Sequence, residues 1–134
     1  MSLIVHTAPM GSDDPDILII SRKFNETVVN EGWPDGHRGV GLHFCPSRRI
    51  QSARWKRCGF HLTNETEDEW QLYVREYVAE MRESYRRTRK VWNEVLQWQR
   101  VVIVSRDDDA ARSPRTVLAR DILQKMGAQY MGEL

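Results

Sequence analysis

Residues 101–127 read VVIVSRDDDAARSPRTVLARDILQKMG, and this stretch decides the fold. Its first four residues are aliphatic and β-branched, which is typical of a strand buried on both faces in a parallel sheet. After a polar loop, Ser113 is suited to cap a helix that has Pro114 at its first position and ends at Gly127. A strand, a loop and a helix in this order form half of a βαβ unit, so the segment predicts an α/β fold.

Other short segments are predicted to complete the sheet. Residues 3–5 and 16–20 have the length and composition of buried strands. Residues 40–45 favour a third extended segment, and residues 130–134 favour a last edge strand or a docked tail. Residues 25–41 contain four glycines and a proline, which is typical of a long irregular connection.

Helices are predicted between these strands. Ser47 is suited to cap a short helix that continues to about Lys56. Thr66 and Glu69 form a capping box, and apolar residues then recur at three- and four-residue spacing to about Trp98. This pattern predicts one long amphipathic helix or two collinear helices.

The composition is that of one folded domain. The 134 residues are 40% hydrophobic and 29% charged, which is enough to form a core without a metal or a disulfide. We therefore predict a single compact α/β domain over residues 1–134, with a central, largely parallel sheet flanked by helices. Twenty Lys and Arg residues against nineteen Asp and Glu residues give a net charge of +1. This balance excludes the strong overall field of a protein that coats DNA or an acidic membrane.

The sequence has no pattern typical of a membrane span, a disulfide framework or a metal site. No run of eighteen apolar residues is present, and the first residues lack the charged start of a secretory signal, so a cytoplasmic location is expected. Cys45 and Cys58 have no CxxC partner, and the four histidines have no ligand spacing. We expect free structural thiols, no metal and no cofactor.

The candidate site lies at the start of the last helix. A helix amino terminus carries unpaired N–H groups and a partial positive charge, so it favours acidic side chains, yet Arg112 and Arg115 flank this one. A bound phosphate or carboxylate would resolve the conflict, held by the N–H groups, the Ser113 hydroxyl and both guanidinium groups. The alternative is that both arginines point to solvent or pair with the three aspartates at residues 107–109.

The carboxyl ends of parallel strands would bring further positive charge to the same edge of the sheet. Ser105 and Arg106 follow one strand, and Arg22 and Lys23 follow another; ligands of open α/β sheets bind at this edge. The predicted ligand-binding residues are Arg115, Ser113, Arg112, Arg106, Ser105, Arg22 and Lys23. No catalytic residue is assigned, because P-loop, nucleophile-elbow and HExxH motifs are absent.

Three functions are compatible with this site. The leading hypothesis is a binding protein for an anionic, nucleotide-like small molecule, which in its sharpest form sequesters a signalling nucleotide. The second is an enzyme that acts on a nucleotide or nucleobase, with Asp107, Asp108 and Asp109 as the nearby acid or base candidates. The third is a nucleic-acid-associated protein that uses the arginine-rich face of the long helix. The apolar stripe of that helix fits either a core or a homodimer interface.

Four stretches of the chain resemble the family catalogued as domain of unknown function 488, which comprises small bacterial and phage proteins. They are residues 16–23 (DILIISRK), 44–47 (FCPS), 77–82 (YVAEMR) and 101–133. The resemblance implies a compact α/β fold with a largely parallel sheet and a pocket near the strand-loop-helix segment. Members of that family typically have a Cys-His-Arg motif before this helix. This chain has Ser113-Pro114-Arg115 there, so only the arginine of the motif is kept. We therefore expect anion recognition here rather than thiol or metal chemistry.

Overall fold

A four-stranded parallel sheet forms the centre of the structure, a computed structural model that describes residues 2–22, 35, 37–59 and 61–134. The strands are β1 (Ile4–Pro9), β2 (Ile17–Ile19), β3 (Arg100–Ser105) and β4 (Gln129–Glu133). They lie in the order β2-β3-β1-β4, and each neighbouring pair is parallel. The predicted α/β class and parallel sheet are confirmed.

Helices flank this sheet. In chain order they are α1 (Arg38–Gly41), α2 (Arg48–Cys58), α3 (Glu67–Arg87), α4 (Arg89–Leu96) and α5, which joins Pro114–Thr116, a π-helical stretch Val117–Leu123 and a 3-10 turn Gln124–Met126. Further 3-10 turns cover Leu42–Phe44 and Ala110–Arg112. Gly127 ends α5 with φ at 105°, a left-handed conformation that favours glycine, so the predicted stop is confirmed.

The predicted caps start α2 and α3. The Ser47 hydroxyl accepts a hydrogen bond from the N–H of Ile50. The Thr66 hydroxyl accepts from the N–H of Glu69, and the Glu69 carboxylate accepts from the N–H of Thr66, at 3.2 and 3.0 Å. The helix that begins there ends before Thr88, whose φ is −128°. The apolar pattern that extends to about residue 98 therefore belongs to two helices, α3 and α4.

Strand β3 is buried on both of its faces. Val101 and Ile103 pack in a large cluster that includes the aromatic side chains of α3 and α4, whereas Val102 and Val104 pack in a smaller cluster with β2. All four side chains are fully buried. This arrangement explains why the strand is apolar at successive positions rather than at alternate ones.

The prediction of an extended segment at residues 40–45 is wrong. The segment is helical up to Phe44, and its backbone carbonyl groups bond to side chains of α3. Tyr77 Oη donates to the carbonyl of Phe44 at 2.7 Å, and Ser84 Oγ donates to the carbonyl of His43 at 2.6 Å. Tertiary contacts thus override the weak β propensity of these residues.

Two other loop and tail predictions have different outcomes. Of the alternatives for residues 130–134, the edge strand is correct, because β4 pairs with β1 at one edge of the sheet. The predicted irregular connection over residues 25–41 lies mostly outside the described residues, and its last part forms α1.

Candidate functional site

A cavity of about 880 Å³ opens at the carboxyl edge of the sheet, where the segments that follow β2 and β3 meet α2. This volume is within the range of pockets that hold small organic ligands. The N–H of Arg106 donates to Ser21 Oγ at 2.7 Å and joins the two segments. The sequence-based prediction that these strand ends meet at one edge is therefore confirmed.

Charges of both signs line this cavity. Its basic side chains are Arg22, Arg48, Arg54, Arg106 and Arg112, and its acidic ones are Glu65, Asp107, Asp108 and Asp109. The mixture is unlike a site for phosphate alone. It suits a ligand that carries an anionic group together with hydrogen-bond donors.

A buried ion pair, Arg54–Glu65, forms one wall of the cavity. Arg54 is completely buried, and its Nε and Nη2 donate to the Glu65 carboxylate at 2.6 and 2.9 Å. The guanidinium carbon also lies 4.4 Å from the ring centre of Tyr73 and 5.0 Å from that of Trp70. Burial lowers the pKa of Arg54, but Glu65 and the other nearby groups raise it by more, so Arg54 is a fixed cation.

Arg54 is not among the residues predicted from the sequence, although the pattern of α2 contains a signal for it. Ile50, Arg54 and Cys58 are spaced four residues apart and are the buried residues of that helix. An arginine at the centre of an otherwise buried stripe requires an acidic partner inside the protein. The partner, Glu65, lies in the turn between α2 and α3, where no periodic pattern marks it as buried.

The turn that carries Glu65 has a strained backbone. Leu62, which lines the cavity, has φ at 58°, in the left-handed region that residues other than glycine rarely adopt. The N–H groups of Leu62 and Glu65 bond back to the carbonyls of Gly59 and Leu62 at 3.1 and 3.3 Å. These bonds hold Glu65 beneath Arg54.

Asp107 is the acidic side chain that lies deepest at the end of β3. Its side chain is 16% exposed, and Oδ1 lies 3.8 Å from Nη1 of Arg54. Among the residues that the structure describes, that Nη1 is buried and makes no hydrogen bond. Ser113 Oγ donates to Oδ2 of Asp107 at 3.3 Å. Burial raises the pKa of Asp107 by more than Arg54, Ser113 and Arg115 lower it.

Arg115 lies behind Asp107 and is completely buried. Its Nε and Nη2 donate to the Glu133 carboxylate at 3.0 and 2.7 Å, and its Nη1 donates to the backbone carbonyl of Asp107 and to the hydroxyls of Ser105 (3.0 Å) and Ser113 (3.1 Å). The two serine hydroxyls lie 2.6 Å apart. The positive charge at the helix start is therefore balanced by a carboxylate of the protein itself.

Arg112 is also paired with acidic groups. Its side chain is 32% exposed, and it donates to the backbone carbonyl of Glu65 at 2.6 Å and to the Glu67 carboxylate at 3.2 Å. The alternative that both arginines point to solvent or pair with the aspartates at residues 107–109 therefore gives the wrong partners. Arg112 and Arg115 do pair with carboxylates, but with those of Glu67 and Glu133, and within residues 107–109 Arg115 contacts the backbone carbonyl of Asp107.

The predicted ligand-binding residues fall into three groups. Arg22, Arg106 and Arg112 line the cavity. Ser105, Ser113 and Arg115 are completely buried and contact protein groups instead, so direct ligand contact by them stays a prediction. Lys23 lies outside the described residues.

An aromatic side chain accompanies the cavity arginines. Trp55 lines the cavity, and the guanidinium carbon of Arg106 lies 5.6 Å from the centre of its ring. A planar heterocycle can stack on such a surface, because aromatic and guanidinium planes both accept stacking partners.

Neither thiol lines the cavity, although Cys58 Sγ lies 3.9 Å from a carboxylate oxygen of Glu65. Cys45 and Cys58 are buried and free, in agreement with the prediction. Burial, followed by the nearby Glu65 and Glu69, raises the pKa of the Cys58 thiol, which makes it a poor nucleophile. Within the described ranges, no group of three potential ligands is placed to hold a metal ion. None of the helices described here combines the length and the hydropathy of a membrane span.

Comparison with known proteins places the chain in a family. No curated protein and no solved structure matches it. A family model described as the active DUF488-N3 subclade matches residues 44–127, which is well over half of the chain and includes α2 to α5 with the central strand β3. The chain therefore belongs to the DUF488 family.

Proposed function

We propose that this protein binds an anionic, nucleotide-like small molecule in the cavity at the carboxyl edge of the sheet. The observation that supports the proposal best is the convergence of Arg22, Arg106 and Arg112 on one cavity of about 880 Å³. Guanidinium groups are well suited to phosphate oxygens, because they donate two parallel hydrogen bonds to them.

The remaining lining favours a nucleotide over inorganic phosphate. Trp55 offers a surface on which a base can stack. Carboxylates such as Asp107 accept hydrogen bonds from the N–H groups of a nucleobase, whereas they would repel a ligand that is anionic throughout. A protein that binds such a molecule without converting it would act by sequestering it.

Isothermal titration calorimetry tests this proposal with AMP, ADP, cyclic AMP and inorganic phosphate as probes. We expect at least one nucleotide to bind more tightly than phosphate. Arg106→Ala should weaken that affinity by about tenfold or more, which corresponds to about 1.4 kcal/mol. Arg86→Ala is the matched control, because Arg86 is an exposed arginine of α3 that does not line the cavity. Absence of binding by every nucleotide, or an equal affinity in Arg106→Ala, would overturn the proposal.

A second candidate function is an enzyme that acts on a nucleotide or nucleobase. The observation in its favour is Asp107, a cavity carboxyl group whose raised pKa suits proton transfer. The matching family model is described as an active subclade, which also favours catalysis.

Chromatography of nucleotides after incubation with the protein separates the two functions. Product formation that is lost in Asp107→Asn, while nucleotide binding persists, would establish the enzyme. Unchanged nucleotides together with measurable binding would establish the binding protein.

A further inference from the structure

Strand β4 contributes a residue to the layer behind the cavity. Glu133 is the last residue of β4 and pairs with Thr7 of β1. The N–H of Leu134 donates to the carbonyl of Thr7 at 2.8 Å, and the Thr7 hydroxyl lies 2.8 Å from Tyr130 Oη. The backbone around Glu133 is therefore held against the sheet, although its side chain is 28% exposed.

Contacts lead from Glu133 to the cavity through Arg115. The Glu133 carboxylate binds two nitrogens of Arg115, Nε and Nη2, and the third nitrogen, Nη1, binds the backbone carbonyl of Asp107 and the hydroxyls of Ser105 and Ser113. Because a guanidinium is planar, orienting two of its nitrogens fixes the direction of the third. The orientation of the Arg115 guanidinium therefore depends on Glu133. The position of the segment after β3, which Arg115 binds, depends on Glu133 in turn.

We propose that Glu133 is a positioning residue of the cavity, which acts through Arg115 to fix residues 105–113 and the Asp107 carboxyl group. Arg115 has no exposed surface in the folded chain, so its orientation depends on the protein groups that bind it. A change at Glu133 is therefore transmitted to the segment that lines the cavity, although Glu133 does not itself line it.

The charge of Glu133 also affects Asp107. The groups that face Asp107 are Arg54 from α2, Tyr73 from α3, and Ser113 and Arg115 at the start of α5. If Glu133 loses its charge, the positive charge of Arg115 is no longer balanced. The Asp107 carboxyl group should then ionise more readily.

Nuclear magnetic resonance of the whole chain tests the proposal without any ligand. In Glu133→Gln, the titration midpoint of the ¹³C-labelled Asp107 carboxyl should fall, and amide hydrogen exchange of residues 105–113 should accelerate by about tenfold or more. Glu94→Gln is the control, because Glu94 is an exposed acidic residue of α4. The control should change neither quantity. A folded Glu133→Gln protein with the wild-type midpoint and the wild-type exchange would overturn the proposal.

Glu133→Asp keeps the proposal testable if Glu133→Gln does not fold. The shorter side chain retains the charge but cannot make the same two contacts with Arg115, so exchange of residues 105–113 should still accelerate, while the Asp107 midpoint should change less. Unchanged exchange in this variant would also overturn the proposal.

The consequence for ligand binding rests on the proposed function. If AMP binds the wild-type chain, Glu133→Gln should weaken its affinity, whereas Glu94→Gln should not. A wild-type chain that binds no nucleotide would overturn the proposed function, but the two magnetic resonance readouts would still decide whether Glu133 positions the segment.

Discussion

Replacing Arg54 by methionine should cost more stability than any exposed charge change in this protein. The substitution keeps an unbranched apolar chain against Tyr73 but removes both hydrogen bonds to Glu65 and the one to the carbonyl of Arg112. The Glu65 side chain is 1% exposed. Its carboxylate therefore stays buried without its main partner.

The expected magnitude follows from this burial. Removing one partner of a buried ion pair costs about 3–5 kcal/mol, because the other charge remains uncompensated. For a domain of this size each kcal/mol lowers the midpoint of thermal unfolding by about 3 °C, so Arg54→Met should unfold roughly 10–15 °C below the wild type. Urea unfolding at neutral pH would measure the free energy directly.

A double variant provides the control for this prediction. In Arg54→Met with Glu65→Leu, both buried charges are removed together, and most of the lost stability should return. A loss of less than about 1 kcal/mol in Arg54→Met alone, the range of exposed ion pairs, would contradict this prediction. A double variant as unstable as the single one would refute it as well.

Three further predictions concern the site and its surroundings. Because the pKa of Asp107 is raised on folding, the stability that its protonated form confers is lost as pH rises through the folded-state pKa. Asp107→Asn should therefore have a higher unfolding midpoint than the wild type at neutral pH and an equal one below the ordinary pKa of 3.8; a lower midpoint at neutral pH would contradict this. Tyr77→Phe leaves the carbonyl of Phe44 without its donor and should cost about 1–3 kcal/mol in urea unfolding, so a neutral effect would disprove that role. Replacing Arg86 and Arg87 by alanine should leave nucleotide affinity unchanged in calorimetry, because both pair with a glutamate of α3 outside the cavity. Weaker binding by this variant would show that the nucleotide binds at α3 instead.

Much of the fold could be predicted from local sequence. The β-branched run at residues 101–104 predicted a strand buried on both faces, and Ser47, Thr66 and Gly127 correctly marked helix ends. Each of these signals depends on a few neighbouring residues. The extended segment predicted at residues 40–45 failed because its structure depends on side chains of α3, more than thirty positions away.

The site could be predicted in position but not in its internal pairing. Parallel strands bring their carboxyl ends to one edge, so the meeting of Ser21 with Arg106 followed from topology. The sequence also correctly indicated an unfavourable positive charge at the amino terminus of α5, since Arg115 lies there without exposure to solvent. The partner that balances this charge could not be predicted, because Glu133 reaches Arg115 only through the pairing of β4 with β1.

The proposed function requires a nucleotide-like anion to bind at the carboxyl edge of the sheet. The most direct measurement is a magnetic resonance titration of the ¹⁵N-labelled chain with AMP, ADP and cyclic AMP, in which each backbone amide is followed. We predict that the amides of residues 48–55 and 106–112 shift and saturate together with at least one of these nucleotides. Shifts confined to the exposed face of α3, or no shift with any nucleotide, would contradict the claim.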